Sequence, residues 1–324
     1  MDVETTTVLC LSPWTEARVR ELAGSGGVRV VTVPPPPAPD AIRAAIGDAD
    51  IVIGDGRHKH ALDADTLALA RRCRFIQQPA AGFDSIDAEA AARLGIPVAN
   101  AGGFNREAVA DWVVMAILNI VRHGARLDRD MRAGGWAQGR WIGRELSALT
   151  VGIVGLGNVG QAVAARLRGF GTRMLANDIV PRTADGVEPA SLDDVLTRAD
   201  VVTLHVPLNA TTCRLVGAQE LARMRPAAIL VNASRGPVVD ETALVDALER
   251  GVIAGAALDV FEQEPLAADS PLRRMDNVFL TPHVGGGTAE ARVRSGEVVA
   301  TNLRRVLAGE PPLHIVNGVS VPVR

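Results

Sequence analysis

Short runs of apolar and β-branched residues alternate with amphipathic stretches along the first hundred residues. The runs predict strands, and the stretches between them, in which apolar residues recur every three or four positions, predict helices. The predicted strands lie at residues 7–11, 28–33, 51–54, 74–77 and 97–100, and the predicted helices at 13–23, 39–46, 63–72 and 85–94. Alternation of this kind is typical of a parallel sheet covered by helices.

A second alternation begins near residue 150, after a long predicted helix at residues 106–122. It has six predicted strands, followed by a last helix at 288–307; the strands lie at residues 151–154, 173–177, 201–204, 228–232, 255–258 and 278–280. Because 324 residues are more than one core usually supports, we expect two domains. The pattern therefore predicts an α/β protein with two doubly wound parallel-sheet domains.

Composition narrows the possible partners. With 48% hydrophobic residues, 22% charged residues and a formal net charge of -3, the chain can bury ordinary cores and offers no global basic field for nucleic acid. Residues 1–5 are acidic, with no basic segment before an apolar core, and no run approaches the roughly 20 apolar residues of a membrane span. We therefore expect a cytoplasmic protein with no nucleic-acid or membrane partner. The four prolines at 34–37 predict a stiff surface loop.

Two residue types are almost missing. Lys59 is the only lysine and tyrosine is absent, which argues against enzymes that use a Schiff-base lysine or a Tyr-x-x-x-Lys proton donor pair. Cys10, Cys73 and Cys213 lie too far apart in sequence to predict a disulfide framework or a zinc site. We expect all three to be buried free thiols.

The strongest local signal is the loop Gly155-Leu156-Gly157-Asn158-Val159-Gly160, between a predicted strand and an amphipathic helix at 158–170. At such a turn the first glycine permits a tight bend, the second lets the backbone approach a pyrophosphate, and the third lets the helix pack closely on the strand. The helix N-terminus then meets the phosphate charge. We therefore predict a dinucleotide site and assign to it Gly155, Gly157, Asn158, Val159 and Gly160.

Asp178 stands at the end of the next predicted strand. An acidic residue there is expected to bind the ribose hydroxyls of the adenosine and to repel a 2′-phosphate, which favours NAD over NADP. Arg173 and Arg182 flank this position and leave NADP open as the less favoured cofactor.

Polar segments follow three of the later strands, where a doubly wound sheet borders its cofactor crevice. They are Asn232-Ala233-Ser234-Arg235-Gly236, Asp259-Val260-Phe261-Glu262-Gln263-Glu264-Pro265 and Thr281-Pro282-His283-Val284-Gly285-Gly286. In order and spacing these segments resemble the N-x-S-R-G, D-V-F-x-x-E-P and T-P-H-x-G-G motifs of the D-2-hydroxyacid dehydrogenase family. The resemblance covers essentially the whole chain, because the loop Ala80-Ala81-Gly82-Phe83-Asp84-Ser85-Ile86-Asp87 is similar to the family's substrate-carboxylate loop.

The resemblance implies an NAD-dependent oxidoreductase in which a Rossmann NAD-binding domain, residues 101–287, is inserted into a flavodoxin-like substrate domain, residues 1–100 and 288–324. It implies that Arg235, Glu264 and His283 are catalytic, and that Ala81 and Gly82, with Arg235 and His283, bind the substrate. It also implies further cofactor contacts from His205, Val206, Pro207, Thr212, Ala233, Ser234, Arg235, Asp259, His283 and Gly285.

The chemistry of the three catalytic candidates supports the same assignment. Reduction of a 2-oxo acid requires a cation for the carboxylate and carbonyl, and a proton donor for the forming alkoxide. The guanidinium fork of Arg235 suits the first task. A histidine ordinarily titrates near about 6.5 and can give or accept a proton at cellular pH, so His283 suits the second. Glu264 beside the imidazole would orient it and stabilise its charged form.

Two other functions remain open. A formate dehydrogenase of the same superfamily usually carries glutamine where Glu264 stands, which favours the hydroxyacid enzyme. An NADH-sensing corepressor shares the fold and the catalytic triplet but serves as a binding scaffold. Turnover of glyoxylate, hydroxypyruvate or related acids discriminates an enzyme from the scaffold.

Residues 122–146 combine arginines and aspartates with Trp136 and Trp141. A nucleic-acid patch is conceivable, but mixed charge and tryptophans that we expect to be buried favour a subunit contact, and hence a homodimer. Metal-like spacing occurs at His58-Lys59-His60, but without a nearby ligand set we expect solvent exposure there and no metal site.

Overall fold

The computed structural model describes residues 5–24, 27–33 and 39–320. The chain divides into two compact units, Met1–Asn105 with Ala289–Arg324, and Arg106–Thr288. The predicted proline loop at residues 34–37 and the chain start at residues 1–4 lie outside the described residues.

The first unit is built on a parallel sheet, with the described strand order β2-β1-β3-β4-β5. The strands are β1 (Thr6–Cys10), β2 (Val28–Thr32), β3 (Ile51–Ile53), β4 (Phe75–Gln77) and β5 (Val98–Ala99). Helices α1 (Glu16–Ala23), α2 (Pro39–Ile46), α3 (Ala64–Leu67) and α4 (Ala88–Arg93) alternate with them. The inner strands β3 and β4 are buried along their whole length, because helices cover both faces of such a sheet. This strand order confirms the predicted flavodoxin-like fold.

The second unit contains a seven-stranded parallel sheet of order β12-β11-β10-β9-β6-β7-β8. Its strands are β6 (Thr150–Val154), β7 (Arg173–Asn177), β8 (Val187–Pro189), β9 (Val201–Leu204), β10 (Ile229–Asn232), β11 (Gly255–Leu258) and β12 (Val278–Leu280). Its helices are α5 (Arg106–Val121), α6 (Gly124–Arg132), α7 (Asn158–Arg168), α8 (Leu192–Arg198), α9 (Ala218–Arg223) and α10 (Glu241–Glu249). The order reverses between β6 and β9, which confirms the predicted Rossmann fold.

Helix α11 (Ala289–Leu307) belongs to the first unit and packs against α1. Its apolar face, including Val299 and Leu303, completes the core over Val8 and Val19. The segment after α11 lies beside β5, where Ile315 pairs antiparallel with Ala99. The described residues after α11 therefore pack on the unit that contains the first hundred residues.

The predicted count of six strands for the second sheet is wrong, because β8 pairs with β7 at the sheet edge. This strand is three residues long, only half-buried or exposed, and ends in Pro189. Proline at an edge strand is tolerated but removes the alternating apolar pattern from which a strand is predicted.

Three burial predictions are also wrong. His60 is buried, because the Asp55 carboxylate accepts hydrogen bonds from the backbone N–H groups of Arg57 and Lys59 and turns the loop over the end of β3. Cys213 is exposed, in the turn after β9, whereas Cys10 and Cys73 are buried as expected. Within one chain Trp136 is 75% exposed and Trp141 is only half-buried, because both follow α6, a helix that buries none of its own residues.

Among the described residues, no single helix has the length and apolarity to cross a membrane, and one bent pair, α5 with α6, passes that test by length and composition only. No group of three or more histidine, cysteine, aspartate or glutamate side chains in the described ranges could hold a metal ion.

Candidate active site

The glycine loop lies between β6 and α7, and two of its glycines are required by close contacts. Gly155 has a φ of 93°, and a Cβ there would lie 2.5 Å from the carbonyl oxygen of His205. A Cβ at Gly160 would lie 2.1 Å from the carbonyl oxygen of Gly155. Gly157 is different: its Cβ position is open, with nothing within 4 Å. The backbone at Gly157 is therefore the point of the loop that a ligand can approach most closely.

The loop and the residues beside it fit a dinucleotide. Gly157, the N-cap of α7, has no side chain with which to cap the helix, so the N–H groups of the first turn, which have no partner within a helix, can serve a phosphate. Asp178 follows β7, and its carboxylate accepts hydrogen bonds from the N–H groups of Leu156, at 2.7 Å, and Val180, at 2.8 Å. The structure therefore brings Asp178 to the glycine loop. In this fold a carboxylate at that place can accept hydrogen bonds from the ribose hydroxyls of a dinucleotide.

A second cofactor-binding candidate, the segment after β9, also lies against the glycine loop. The backbone of His205 lies against Gly155, on the side where a Cβ would point, and the Val206 side chain lies beside it. Burial lowers the pKa of His205 to about 4, and its Nε2 lies 3.0 Å from the Thr203 hydroxyl. The Thr212 hydroxyl donates to the carbonyl oxygen of Pro207, which closes this segment into a compact turn.

Arg235 is held by the segment that follows β10. The Asn232 side chain accepts from the N–H and hydroxyl of Ser234 and donates to the carbonyl oxygen of Arg235 at 2.9 Å. The Arg235 guanidinium donates to the carbonyl oxygen of Ser234. A Cβ at Gly236 would collide with the backbone of Phe261, at 1.9 Å, so this segment lies directly against the one that follows β11.

Glu264 and His283 come together from two neighbouring segments. Glu264 Oε2 lies 2.8 Å from His283 Nδ1, and its other oxygen accepts from the N–H of Phe261. The carboxylate is 29% exposed and the imidazole 39% exposed. Because an ionised carboxylate can only accept, the hydrogen of this bond belongs to Nδ1, and Nε2 of the imidazole is left for a substrate.

Asp259 binds the backbone of the histidine segment. Its side chain is buried, and its carboxylate accepts from the N–H groups of Val284, at 2.9 Å, and Gly285, at 2.7 Å. Its carbonyl oxygen accepts from the N–H of His283 at 2.8 Å. In this structure Asp259 therefore supports the loop that carries His283.

Ala81 and Gly82 belong to the first unit, in the loop after β4, and both are half-buried. The Asn100 side chain donates to the carbonyl oxygen of Ala81 at 2.6 Å and accepts from the N–H of Gly102. Asn100 thus fixes the loop that the sequence predicted to bind a carboxylate.

Four residues that support these segments were not predicted as site residues: Asn100, Trp112, Asn232 and Thr281. Asn232 and Thr281 are the first residues of the motifs that contain Arg235 and His283, so their position in these motifs could have identified them. Trp112 lies in the middle of an apolar helix, where an aromatic residue indicates only a core position.

The sequence profile described as "D-isomer specific 2-hydroxyacid dehydrogenase, NAD binding domain" matches residues 114–285. A glyoxylate reductase from Korarchaeum cryptofilum is 40% identical over 298 residues, which cover 89% of this chain and 89% of that protein.

Two solved structures superpose on nearly the full length of this chain. An NADPH-dependent glyoxylate/hydroxypyruvate reductase from Sinorhizobium meliloti, in complex with NADP and malonate, superposes with a TM-score of 0.88 at 28% identity, covering 99% of each chain. A D-lactate dehydrogenase from Aquifex aeolicus, complexed with NAD and lactic acid, superposes with a TM-score of 0.85 at 27% identity, covering 97% of this chain and 100% of that one.

Proposed function

Because the chain belongs to the D-isomer-specific 2-hydroxyacid dehydrogenases, a family of NAD-dependent oxidoreductases, we propose that it interconverts a small 2-oxo acid and the corresponding D-2-hydroxy acid. The observation that carries this proposal is the pair Glu264–His283, joined at 2.8 Å beside the segment of Arg235. This pair supplies a general acid and base, and Arg235 supplies the cation for a carboxylate.

Each residue has a distinct task in the proposed reaction. Arg235 binds the substrate carboxylate and polarises the carbonyl through its fork of N–H donors. His283 gives a proton from Nε2 to the oxygen of the reduced carbonyl, or removes it in the opposite direction. Glu264 holds the hydrogen on Nδ1, which fixes the ring orientation. The backbone of Ala81 and Gly82 contributes to recognition of the carboxylate.

The glycine loop and Asp178 would hold the dinucleotide, whose nicotinamide supplies or takes up the hydride when it is bound. We assign pyrophosphate binding to the backbone from Gly157 to Gly160 and ribose binding to Asp178. We assign further contacts with the dinucleotide to His205, Val206, Pro207, Thr212, Ala233, Ser234 and Gly285. Asp178 favours NADH over NADPH, whereas Arg182, whose Nε lies 3.7 Å from the Asp178 carboxylate, is the residue through which NADPH would be tolerated.

The reaction is tested by following NADH oxidation with glyoxylate, hydroxypyruvate, pyruvate and phenylpyruvate, and NAD reduction with formate. We expect turnover of at least one 2-oxo acid and none of formate. Tight NADH binding without turnover of any acid would support the corepressor-type scaffold, and reduction of NAD by formate would support a formate dehydrogenase.

The role of His283 is tested with His283→Asn. His283 has a φ of 54°, a left-handed conformation that asparagine tolerates better than alanine, so this variant removes the imidazole and spares the loop. We expect kcat to fall about 10²- to 10⁴-fold, as for loss of a general acid or base, with unchanged NADH affinity. His314→Asn, at an exposed histidine with a φ of 60°, is the matched control and should keep full kcat. Equal kcat in both variants would refute the assignment.

We also propose that the chain is a homodimer joined through residues 122–146. Trp136 is 75% exposed and Ile142 is 85% exposed, so this arm presents apolar side chains that a second copy would cover. Arg126 stacks over Trp141 at 3.7 Å and pairs with Asp276, which orders the arm on its own unit. Light scattering is expected to give twice the mass of one chain, and Ile142→Asp to give a monomer. A monomeric wild-type protein would contradict the proposal.

A further inference from the structure

A chain of hydrogen bonds leads from the core helix α5 to the loop of His283. Trp112 is only 6% exposed, and its indole Nε1 donates to the Thr281 hydroxyl at 3.0 Å. The Thr281 hydroxyl in turn donates to the Asp259 carboxylate. An indole N–H can only donate and a carboxylate can only accept, so the direction of both bonds is fixed. Trp112 therefore sets the orientation of the Thr281 hydroxyl.

The same indole also packs on the backbone of the loop. A Cβ at Gly285 would lie 3.4 Å from Cγ of Trp112 and 2.9 Å from Oδ2 of Asp259. The carboxylate accepts from the N–H groups of Val284 and Gly285. The segment that carries His283 is thus held between an aromatic ring and a buried carboxylate.

His283 depends on this support because of its backbone conformation. A non-glycine residue with a φ of 54° is uncommon and persists where the surrounding structure imposes it. The N–H of His283 donates to the Asp259 carbonyl oxygen at 2.8 Å, and this conformation places Nδ1 2.8 Å from Glu264. A change at Thr281 or Asp259 is therefore transmitted to the imidazole.

We propose that Trp112 is a positioning residue for His283, acting through the Thr281 hydroxyl and the Asp259 carboxylate. The inference rests on the proposed function in one respect, the assignment of His283 as the general acid and base. Trp112 itself touches neither substrate nor cofactor in this scheme. Its N–H fixes the loop, and its ring limits how far the loop can move.

Trp112→Phe removes the N–H and keeps an aromatic ring. Loss of one neutral hydrogen bond corresponds to a fall in kcat of about three- to tenfold, because the imidazole spends less time in the reactive orientation. KM for NADH is expected to change less than kcat, since the glycine loop that we assign to the pyrophosphate is not altered. Thr281→Val interrupts the same chain, so Trp112→Phe should lower kcat no further in a Thr281→Val background.

Phe279→Leu is the matched control for packing. The Phe279 ring lies 6.3 Å from that of Trp112, so this variant disturbs the surroundings of the same indole and leaves its N–H in place. We expect it to lower Tm by as much as Trp112→Phe and to leave kcat unchanged. Equal losses of kcat in the two variants would reduce the role of Trp112 to packing and overturn the proposal.

The ring ¹H–¹⁵N spectrum of His283, assigned by its loss in His283→Asn, tests the proposal without turnover. We expect the Nδ1 signal to shift in Trp112→Phe and Thr281→Val, because the bond to Glu264 changes, and to stay in place in Phe279→Leu. An unchanged signal in Trp112→Phe overturns the proposal, as do additive losses of kcat in the double variant. If the wild-type protein reduces none of the acids, the proposed function fails, and the spectrum still decides whether Trp112 positions His283.

Discussion

The two glycines that open and close the N-terminal turn of α7 should respond differently to the same added methyl group. A Cβ at Gly160 would lie 2.1 Å from the carbonyl oxygen of Gly155, whereas real Cβ contacts are essentially never below 3.0 Å. Gly160→Ala must therefore push α7 and the loop apart by roughly 1 Å, the kind of overpacking that costs about 1–3 kcal/mol. At about 2–4 °C per kcal/mol for a unit of this size, Tm should fall by about 2–12 °C.

Gly157→Ala meets no such obstacle. Nothing lies within 4 Å of the added Cβ, and its φ of -73° and ψ of -159° are accessible to alanine. Only the weaker N-cap preference of alanine remains, so Tm should fall by no more than about 3 °C. The methyl group nevertheless occupies the backbone face that a pyrophosphate would approach, and hydrogen bonds to a charged group contribute about 1.5–3 kcal/mol. NADH affinity should therefore fall about 10- to 100-fold.

The stability of both variants is measured by thermal unfolding, and their NADH affinity by titration of NADH fluorescence. Gly160→Ala should lose both stability and affinity, and Gly157→Ala affinity alone. Wild-type NADH affinity in Gly157→Ala would show that the pyrophosphate does not approach this face of the loop. A wild-type Tm in Gly160→Ala would refute the steric argument.

Two further predictions concern titratable groups whose pKa the fold shifts. Because the pKa of His205 is lowered to about 4, the unfolded chain binds a proton that the folded chain excludes as pH falls below about 6.5, and stability is lost progressively down to pH 4. Urea unfolding should show that the free energy of unfolding falls less between pH 7 and pH 5 in His205→Gln than in the wild-type protein. An equal fall in the two proteins would contradict the assignment of this pH dependence to His205. Burial raises the pKa of Cys10 to about 11 and that of Cys73 to about 12, whereas Cys213 is exposed. A thiol reagent at pH 8 should therefore modify one cysteine per folded chain and three per unfolded chain, and rapid modification of all three in the folded protein would contradict the burial.

Both sheets could be predicted from the sequence, because a buried parallel strand is a continuous apolar run and a covering helix has its own period. The boundaries of β7, β9, β11 and β12 agree with the predicted ranges. The edge strand β8 could not be predicted, since a half-exposed strand that ends in proline carries no such pattern. The burial of His60 could not be predicted either, because it depends on the hydrogen bonds that the Asp55 carboxylate accepts from the backbone of Arg57 and Lys59.

The sequence by itself determined the glycine loop, Asp178 and the three motifs that contain Arg235, Glu264 and His283, because each is a local pattern tied to the end of a strand. Only the tertiary structure decided how these residues are held. The bond between Glu264 and His283 and the link from Trp112 through Thr281 to Asp259 join side chains that are distant in sequence. Such contacts arise when parallel strands bring their carboxyl ends to one edge of a sheet, and a linear pattern does not encode which side chains then meet.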